Sequence, residues 1–411
     1  MITAHSLDFL LSPAGSAVLA WLATQDLSDA QTLSLLARLR RDLPPEFAAA
    51  ALTLARLRQR AAGKFSRAAA MFFTADALEQ ASSEVVAQWR ARRFAERGYA
   101  RIADLGCGIG GDTLALAAHS GTTVIAVDRD PVRLRLACAN LRAYGRSAHF
   151  VCADLRDPLP LTGVLAAFFD PARRDAGRRL FSARDYVPPL DVIRRWRFAA
   201  LAVKLSPGVA LDELAPYTQA GAGVEFVSAG GELKEAVLWG GELGFAGRWA
   251  SRADAGETLH PTGAPSPPLS VPRAYLLEPD PAVIRAGVLG ELAEHLGTAL
   301  YRLDESIAYL TADSPVTSGW VRVWPVLDWL PFHVKRLRQA LRARGIRRAT
   351  IKKRGSPLTP AEALRLLKLD GESDDAVVVL TQVQGQHSAL ICGRMLSGPP
   401  EEGEARWTSS R

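Results

Sequence analysis

Four aspartates punctuate the middle of the chain, each at the end of an apolar run. They are Asp104 in RIADLG, Asp128 in TVIAVD, Asp154 in VCADL and Asp170 in AAFFDP. A fifth run, ALAVKLSPG, closes on Lys204. Gly106, Gly108, Gly110 and Gly111 follow the first aspartate. Glycines there let the backbone turn tightly and approach a ligand closely, and a following helix offers its free amides. Gly106, Gly108 and Gly111 fit the GxGxxG spacing of dinucleotide loops. The acids argue against that ligand. A carboxylate at Asp104 would face a pyrophosphate with repulsion, whereas it suits an ammonium group. Asp128, at the end of the second run, can accept from both hydroxyls of a ribose. Asp154 can accept from an adenine amino group. Three acids around one glycine loop suit S-adenosylmethionine, which is cationic at its sulfur and its amine.

The elements that must position these residues follow from the pattern. YARIADLG and TTVIAVDRD read as strands, GDTLALAAHSG and PVRLRLACANLRAYG as helices, and AHFVCADL as a third strand. Such β-α-β-α-β order implies a parallel sheet with right-handed crossovers. Ligands on such sheets bind at the carboxyl ends of the strands, where all four aspartates and Lys204 fall. The fold class is therefore α/β, a doubly wound, Rossmann-like sheet. Residues 1–95 read as a helical domain. FAAAALTLARLRQRAAGKF carries apolar residues at helical spacing behind Pro44 and Pro45. A second helix is expected over 74–98, with Thr74 as N-cap and Gly98 as stop. Residues 96–250 form the sheet domain. The Pro-, Gly- and Ser-rich stretch 251–273 reads as a linker. Residues 274–397 read as a small α/β domain ending in a hairpin near Gly385, and 398–411 as a disordered tail.

The series DLGCGIGGDTLALA, VIAVDRDP, ACANLRAYG and VCADL resembles the class I S-adenosylmethionine-dependent methyltransferases. Within them it is most similar to the RNA cap trimethylguanosine synthase group, over roughly residues 70–210. The wider arrangement resembles a bacterial group that carries a THUMP-like C-terminal domain. The resemblance implies a methyltransferase acting on RNA, with Asp104, Gly106, Gly108, Gly110, Asp128 and Asp154 around the cofactor. THUMP domains proper bind tRNA, so tRNA or rRNA is the implied partner.

In many amino-methylating enzymes of nucleic acids, the position of Asp170-Pro171 reads Asp/Asn-Pro-Pro-aromatic. The first side chain and the Pro carbonyl accept from the target amine, and the aromatic stacks on the base. Here Ala172 and Arg173 stand in the last two places. The acceptor is kept and the ring is lost, although an Arg plane can stack on a base and touch phosphate. Asp170, Pro171 and Lys204 are thus the candidate catalytic residues, and Arg173 a substrate contact. Lys204 also has a plain reading as a strand-end charge. Glu232, Lys234 and Glu235 read as strand-to-strand ion pairs. The upstream segment GKFSRAAAMFFT is a candidate cover for the cofactor.

FHVKRLRQALRARGIRRATIKKRG, 332–355, holds ten basic residues and no acid. On a helix, Lys335, Arg338 and Arg342 share a face, and Arg348 follows on the next strand. They form a candidate phosphate-contacting surface that positions RNA without reading its sequence. A net charge of +7 permits a polyanionic partner. The four cysteines lack CxxC spacing and the histidines do not cluster, so neither zinc nor a disulfide framework is expected. No signal peptide or membrane-spanning run is read, and a cytoplasmic protein is expected. A methyltransferase for a small molecule or a protein, and an RNA-binding protein with an inactive core, remain alternatives.

Overall fold

The structure is a computed structural model that describes residues 2–172, 174–175, 178–179 and 182–399. Arg173 and the end of the chain from 400 lie outside the described residues. Two compact units divide the chain: Met1–Val224 with Glu235–Ala246, and Glu225–Lys234 with Gly247–Arg411.

The first unit begins with helices α1 (Ala4–Leu11), α2 (Pro13–Leu22), α3 (Thr32–Leu39) and α4 (Pro45–Ala61). Local chemistry sets their starts. Thr3 and Ser6 form a capping box on α1, Ser12 caps α2, and Pro45 opens α4. The single helix expected over 74–98 is two, α5 (Ala75–Gln80) and α6 (Glu84–Glu96). Thr74 caps the first as expected, and the chain leaves the helix at Ala81 in extended conformation. The Lys64 ammonium explains the stop. It takes the carbonyls of Leu78 at 2.8 Å and Ala81 at 3.2 Å, oxygens that a longer helix would have used. The serines at 82 and 83 also favour a helix boundary.

The sheet follows. Its strands are β1 (Arg101–Leu105), β2 (Thr123–Asp128), β3 (His149–Cys152) and β4 (Ala166–Phe169). After them come the two-residue β5 (Arg174–Asp175) and β6 (Arg178–Arg179), which pair with each other, and then β7 (Ala200–Leu205). Helices α7 (Gly111–Leu116) and α8 (Pro131–Ala143) connect the first three strands, and α9 (Ala215–Thr218) follows β7. β8 (Gly223–Ala229) and β9 (Glu232–Gly241) come next. Within the first unit the strand order is β9-β7-β4-β1-β2-β3. All pairs are parallel except β7 with β9, which is antiparallel. The doubly wound α/β fold expected from the sequence is present.

The opening helices share one core with the helices that flank the sheet. One cluster of buried residues runs from Leu7, Leu54 and Phe73 to Ile109, Leu114, Leu136 and Leu141. Asn140 of α8, wholly buried, joins the pieces. Its amide accepts from the Phe72 N–H at 2.7 Å and donates to the carbonyls of Phe72 at 3.0 Å and Ile109 at 2.9 Å. Tyr144 accepts from the Arg67 N–H at 3.1 Å. Both belong to the ANLRAYG stretch.

In the second unit, β10 (Gly247–Arg252) and β11 (Glu257–Leu259) form a hairpin. The linker expected from 251 therefore starts later, because Ser251 and Arg252 pair with Thr258 and Glu257. A seven-stranded sheet then contains β12 (Tyr275–Pro279), β13 (Tyr301–Arg302), β14 (Leu310–Ala312), β15 (Val321–Pro331), β16 (Thr350–Lys353), β17 (Val377–Val383) and β18 (Gln386–Cys392). Its order is β13-β14-β12-β15-β18-β17-β16. Helices α10 (Pro281–Ala286), α11 (Leu289–Leu296), α12 (Val334–Ala343) and α13 (Pro360–Leu367) complete it. The long strand β15 pairs with β12 through its first half and β18 through its second, with a bulge between Val326 and Asp328. The expected hairpin turns at Gln384 and Gly385, both with positive φ. Among the described residues, no helix is long and apolar enough to cross a membrane.

Candidate active site

A cleft of about 310 Å³ opens at the carboxyl ends of β1, β2, β3 and β4. Gly106, Cys107, Gly108 and Ile109 line it from the loop after β1, Asp128 and Arg129 from β2, and Asp154 and Arg156 from the loop after β3. Asp170, Pro171 and Ala172 line it after β4, and Glu79, Gln80 and Ala81 from the end of α5.

The glycines have distinct jobs. Gly106, Gly108 and Gly110 all have positive φ. A Cβ on Gly106 would stand 2.7 Å from the Asp170 carbonyl, so this glycine lets the loops after β1 and β4 close on each other. A Cβ on Gly108 meets nothing within 4 Å, which leaves a bare backbone on the cleft. Gly110 differs from the expectation. It faces Ala137 and Leu141 of α8, where a Cβ would come within 3.0–3.1 Å, and it does not line the cleft. Its role is close packing of loop on helix.

The four aspartates also divide. Asp128 accepts from the Gly108 N–H and the Asp130 N–H, both at 2.9 Å, and lines the cleft. Asp154 lines it too, yet its oxygens accept from the backbone and side chain of Arg156. Those bonds pull its pKa down to about 2. Asp104 lies fully buried behind the loop. One oxygen accepts from the Thr113 hydroxyl, and Oδ1 has no partner. Burial first, then the charges of Asp112 and Asp170, push its pKa up to about 8 against the Thr113 hydrogen bond. Asp170 reaches the cleft with Oδ2 held by the Lys204 ammonium at 2.7 Å. Lys204 is buried and also donates to the Gln80 carbonyl at 3.4 Å.

Sequence reasoning missed the partners of this set. Arg90 of α6 is buried, with one nitrogen on Glu235 and the other on Asp112 and on the Ser82 hydroxyl. Asp112 lines the cleft. The signal was present: Arg90 occupies the apolar stripe Val86, Ala87, Ala91, Phe94 of its helix, and all five are buried. Glu235 does take part in an ion pair, as read, but with a helix. The segment GKFSRAAAMFFT does not cover the cleft. Phe73 is core, and residues 77 and 79–81 supply the wall.

Comparison with known proteins decides the family. Two curated relatives, each called an uncharacterized S-adenosylmethionine-dependent methyltransferase, come from Mycobacterium tuberculosis strains CDC 1551 / Oshkosh and ATCC 25618 / H37Rv. Each is 36% identical over 348 residues, covering 82% of this chain and 94% of the relative. The chain belongs to the S-adenosylmethionine-dependent methyltransferases. A family described as "Methyltransferase domain" matches residues 102–170, "THUMP domain-like" matches 321–394, and a domain of unknown function matches 3–61. The crystal structure of a "putative methyltransferase" from Porphyromonas gingivalis W83 shares the fold with a TM-score of 0.71. It is 22% identical and covers 92% of this chain and 97% of its own.

The residues of this methyltransferase fit its cofactor. Once Asp104 releases the proton that burial holds up to about pH 8, Asp104, Asp112, Asp170 and Glu235 outnumber the buried cations Arg90 and Lys204. The unpartnered Asp104 oxygen lies behind the same loop. A cationic ligand in the cleft offsets that surplus. Asp128 lines the cleft, and the bare Gly108 leaves room for a ligand to approach the backbone.

In the second unit the basic run spreads out. Lys335, Arg342 and Arg348 are exposed and make no ion pair among the described residues. Arg338 is half-buried and donates to the Leu366 carbonyl, so it is partly spent on α13. The run also has counter-charges that its own sequence lacks. Asp328 pairs with Arg344 at 2.8 Å, and Glu278 with Lys352 at 3.0 Å and Arg354 at 3.6 Å.

Proposed function

We propose that this methyltransferase transfers the methyl group to a base nitrogen of an RNA, a tRNA or rRNA, in the cytoplasm. The observation that carries the RNA reading is the exposed basic surface of the second unit. Lys335, Arg336, Arg342, Arg347, Arg348 and Lys353 are exposed and unpaired in ion pairs among the described residues, in the region similar to THUMP domains. Such a surface contacts phosphates and positions an RNA without reading its sequence. The four free thiols support a reducing compartment.

The nitrogen acceptor is supported by Asp170 and Pro171 in the cleft. The Lys204 ammonium donates to Asp170 at 2.7 Å and so fixes where that carboxyl points. The carboxylate accepts from the target amine, aims its lone pair, and takes the proton that the nitrogen loses on methylation. The cofactor supplies an electrophilic methyl on a sulfonium, so positioning is most of the remaining task. No aromatic residue lines the cleft among the described residues, so Pro171 and Pro188 would flank the base. Arg173, the proposed contact beside them, lies outside the described residues. The test is transfer of labelled methyl to bulk RNA from a host strain that lacks the gene. Nuclease-sensitive label is the expected result; label in protein, or none in RNA, rejects the substrate.

A further inference from the structure

We infer that Arg90 is the positioning residue for the cationic end of the cofactor, acting through Asp112 and through the wall ahead of Ser82. Arg90 touches neither cleft nor solvent, so its influence must pass through its partners. One nitrogen is shared between Asp112 and Ser82, the latter at 2.9 Å, and the other binds Glu235. Its guanidinium carbon lies 4.8 Å from the ring of Phe168, two residues before Asp170. One side chain thus joins the α5–α6 turn, the first turn of α7, β9 and the floor strand β4.

Two facts give this arrangement a purpose beyond core packing. Of the two acids on Arg90, only Asp112 lines the cleft, while Glu235 is buried behind it. Glu235 therefore answers the arginine from the buried side, and Asp112 answers it from the cleft lining. Ser82 follows Ala81 directly, so the same nitrogen that fixes Asp112 also fixes the end of the wall made by Glu79, Gln80 and Ala81. The guanidinium holds these two on one nitrogen and Glu235 on the other; a lysine ammonium, a single point donor on a shorter stem, cannot span all three.

The inference rests on the cofactor occupying this cleft and is independent of RNA. Calorimetric binding of S-adenosylmethionine to the full chain tests it. Arg90→Lys keeps the charge and should weaken binding about tenfold, the loss of roughly one directed charge-assisted hydrogen bond. The paired change Arg90→Met with Glu235→Gln leaves Asp112 as the one carboxylate without its partner, frees the Ser82 hydroxyl, and should weaken binding by on the order of a hundredfold. KM for the cofactor should rise in step, while kcat at saturation stays within about threefold. A folded double variant that binds within twofold of the parent would overturn the inference. Ser82→Ala removes a hydroxyl and no charge, so it decides the matter even if both arginine variants fail to fold. About threefold weaker binding supports the wall contact and an unchanged affinity rejects it. Asp128→Ala serves as the control: if it leaves binding intact, the cleft itself is the wrong site.

Discussion

The two units use positive charge in opposite ways. In the first, Arg90 and Lys204 are buried, and each is fixed by named carboxylates. In the second, Lys335, Arg342, Arg347 and Arg348 stand in solvent without ion pairs among the described residues. A buried ion loses several kcal/mol of hydration and survives only in close geometry. Its direction is therefore exact, and its loss is local and large. An exposed ion keeps its water, acts over about a Debye length of roughly 8 Å, and weakens with salt. The same formal charge thus serves alignment in one unit and attraction in the other.

The contrast can be broken from its strongest point downwards. Removing the buried pair as a unit, Asp170→Ala with Lys204→Met, should lower methyl transfer by roughly 10²–10⁴ while cofactor affinity stays within about threefold. Single-turnover rates measured beside calorimetry would show it, and a rate within fivefold of the parent would reject Asp170 as the acceptor. The next effect concerns Asp104. Its folded pKa of about 8 lies above the usual carboxyl value of 3.8. The folded state therefore holds a proton that the unfolded chain has lost. Its stabilising contribution is full below about pH 4 and fades as pH rises towards 8. A cationic ligand favours the ionised form, so cofactor affinity should climb with pH by up to about tenfold per unit, levelling near pH 8. Asp104→Asn should flatten both slopes in melting and binding curves.

The exposed set should behave differently. Reversing Arg342, Arg347 and Arg348 to Glu should weaken RNA binding about tenfold or more at low salt and reduce the salt slope by roughly one per lost phosphate contact. Cofactor binding should not move. An RNA affinity unchanged in filter binding would demote the surface to solvation. The smallest effect is expected at Arg156, whose pair with Asp154 is exposed. Arg156→Ala should leave the melting temperature unchanged, since such pairs contribute little. A clear drop would show that the rim of the cleft is built more like its floor.

Much of this was legible in the sequence, and the gaps have physical causes. The sheet, its parallel order and the strand-end acids follow from periodicity, because apolar runs closed by Asp repeat with helical segments between them. The hairpin at Gly385 was equally plain. The break between α5 and α6 was hidden because its cause, Lys64, lies ten residues upstream of Thr74 and acts only once the chain has folded back. Gly110 and Gly108 look alike as letters, and only the nearness of Ala137 separates packing from an open backbone. Asp154 was placed correctly beside the cleft, but Arg156, two residues on, occupies both its oxygens. The counter-charges of the basic run came from β12 and β15, far outside any window in which the run itself was read.

Asn140 has a practical consequence. Its amide ties Phe72 to the glycine loop through α8, and the apolar cluster beneath it draws on both the first helices and Ile109, Leu114, Leu136 and Leu141. Anyone trimming this gene for expression has no clean cut between the opening helices and the catalytic sheet. A fragment begun near residue 96 would carry a raw leucine face and an amide with two vacant partners. It should collect in inclusion bodies however well its cofactor motif is preserved.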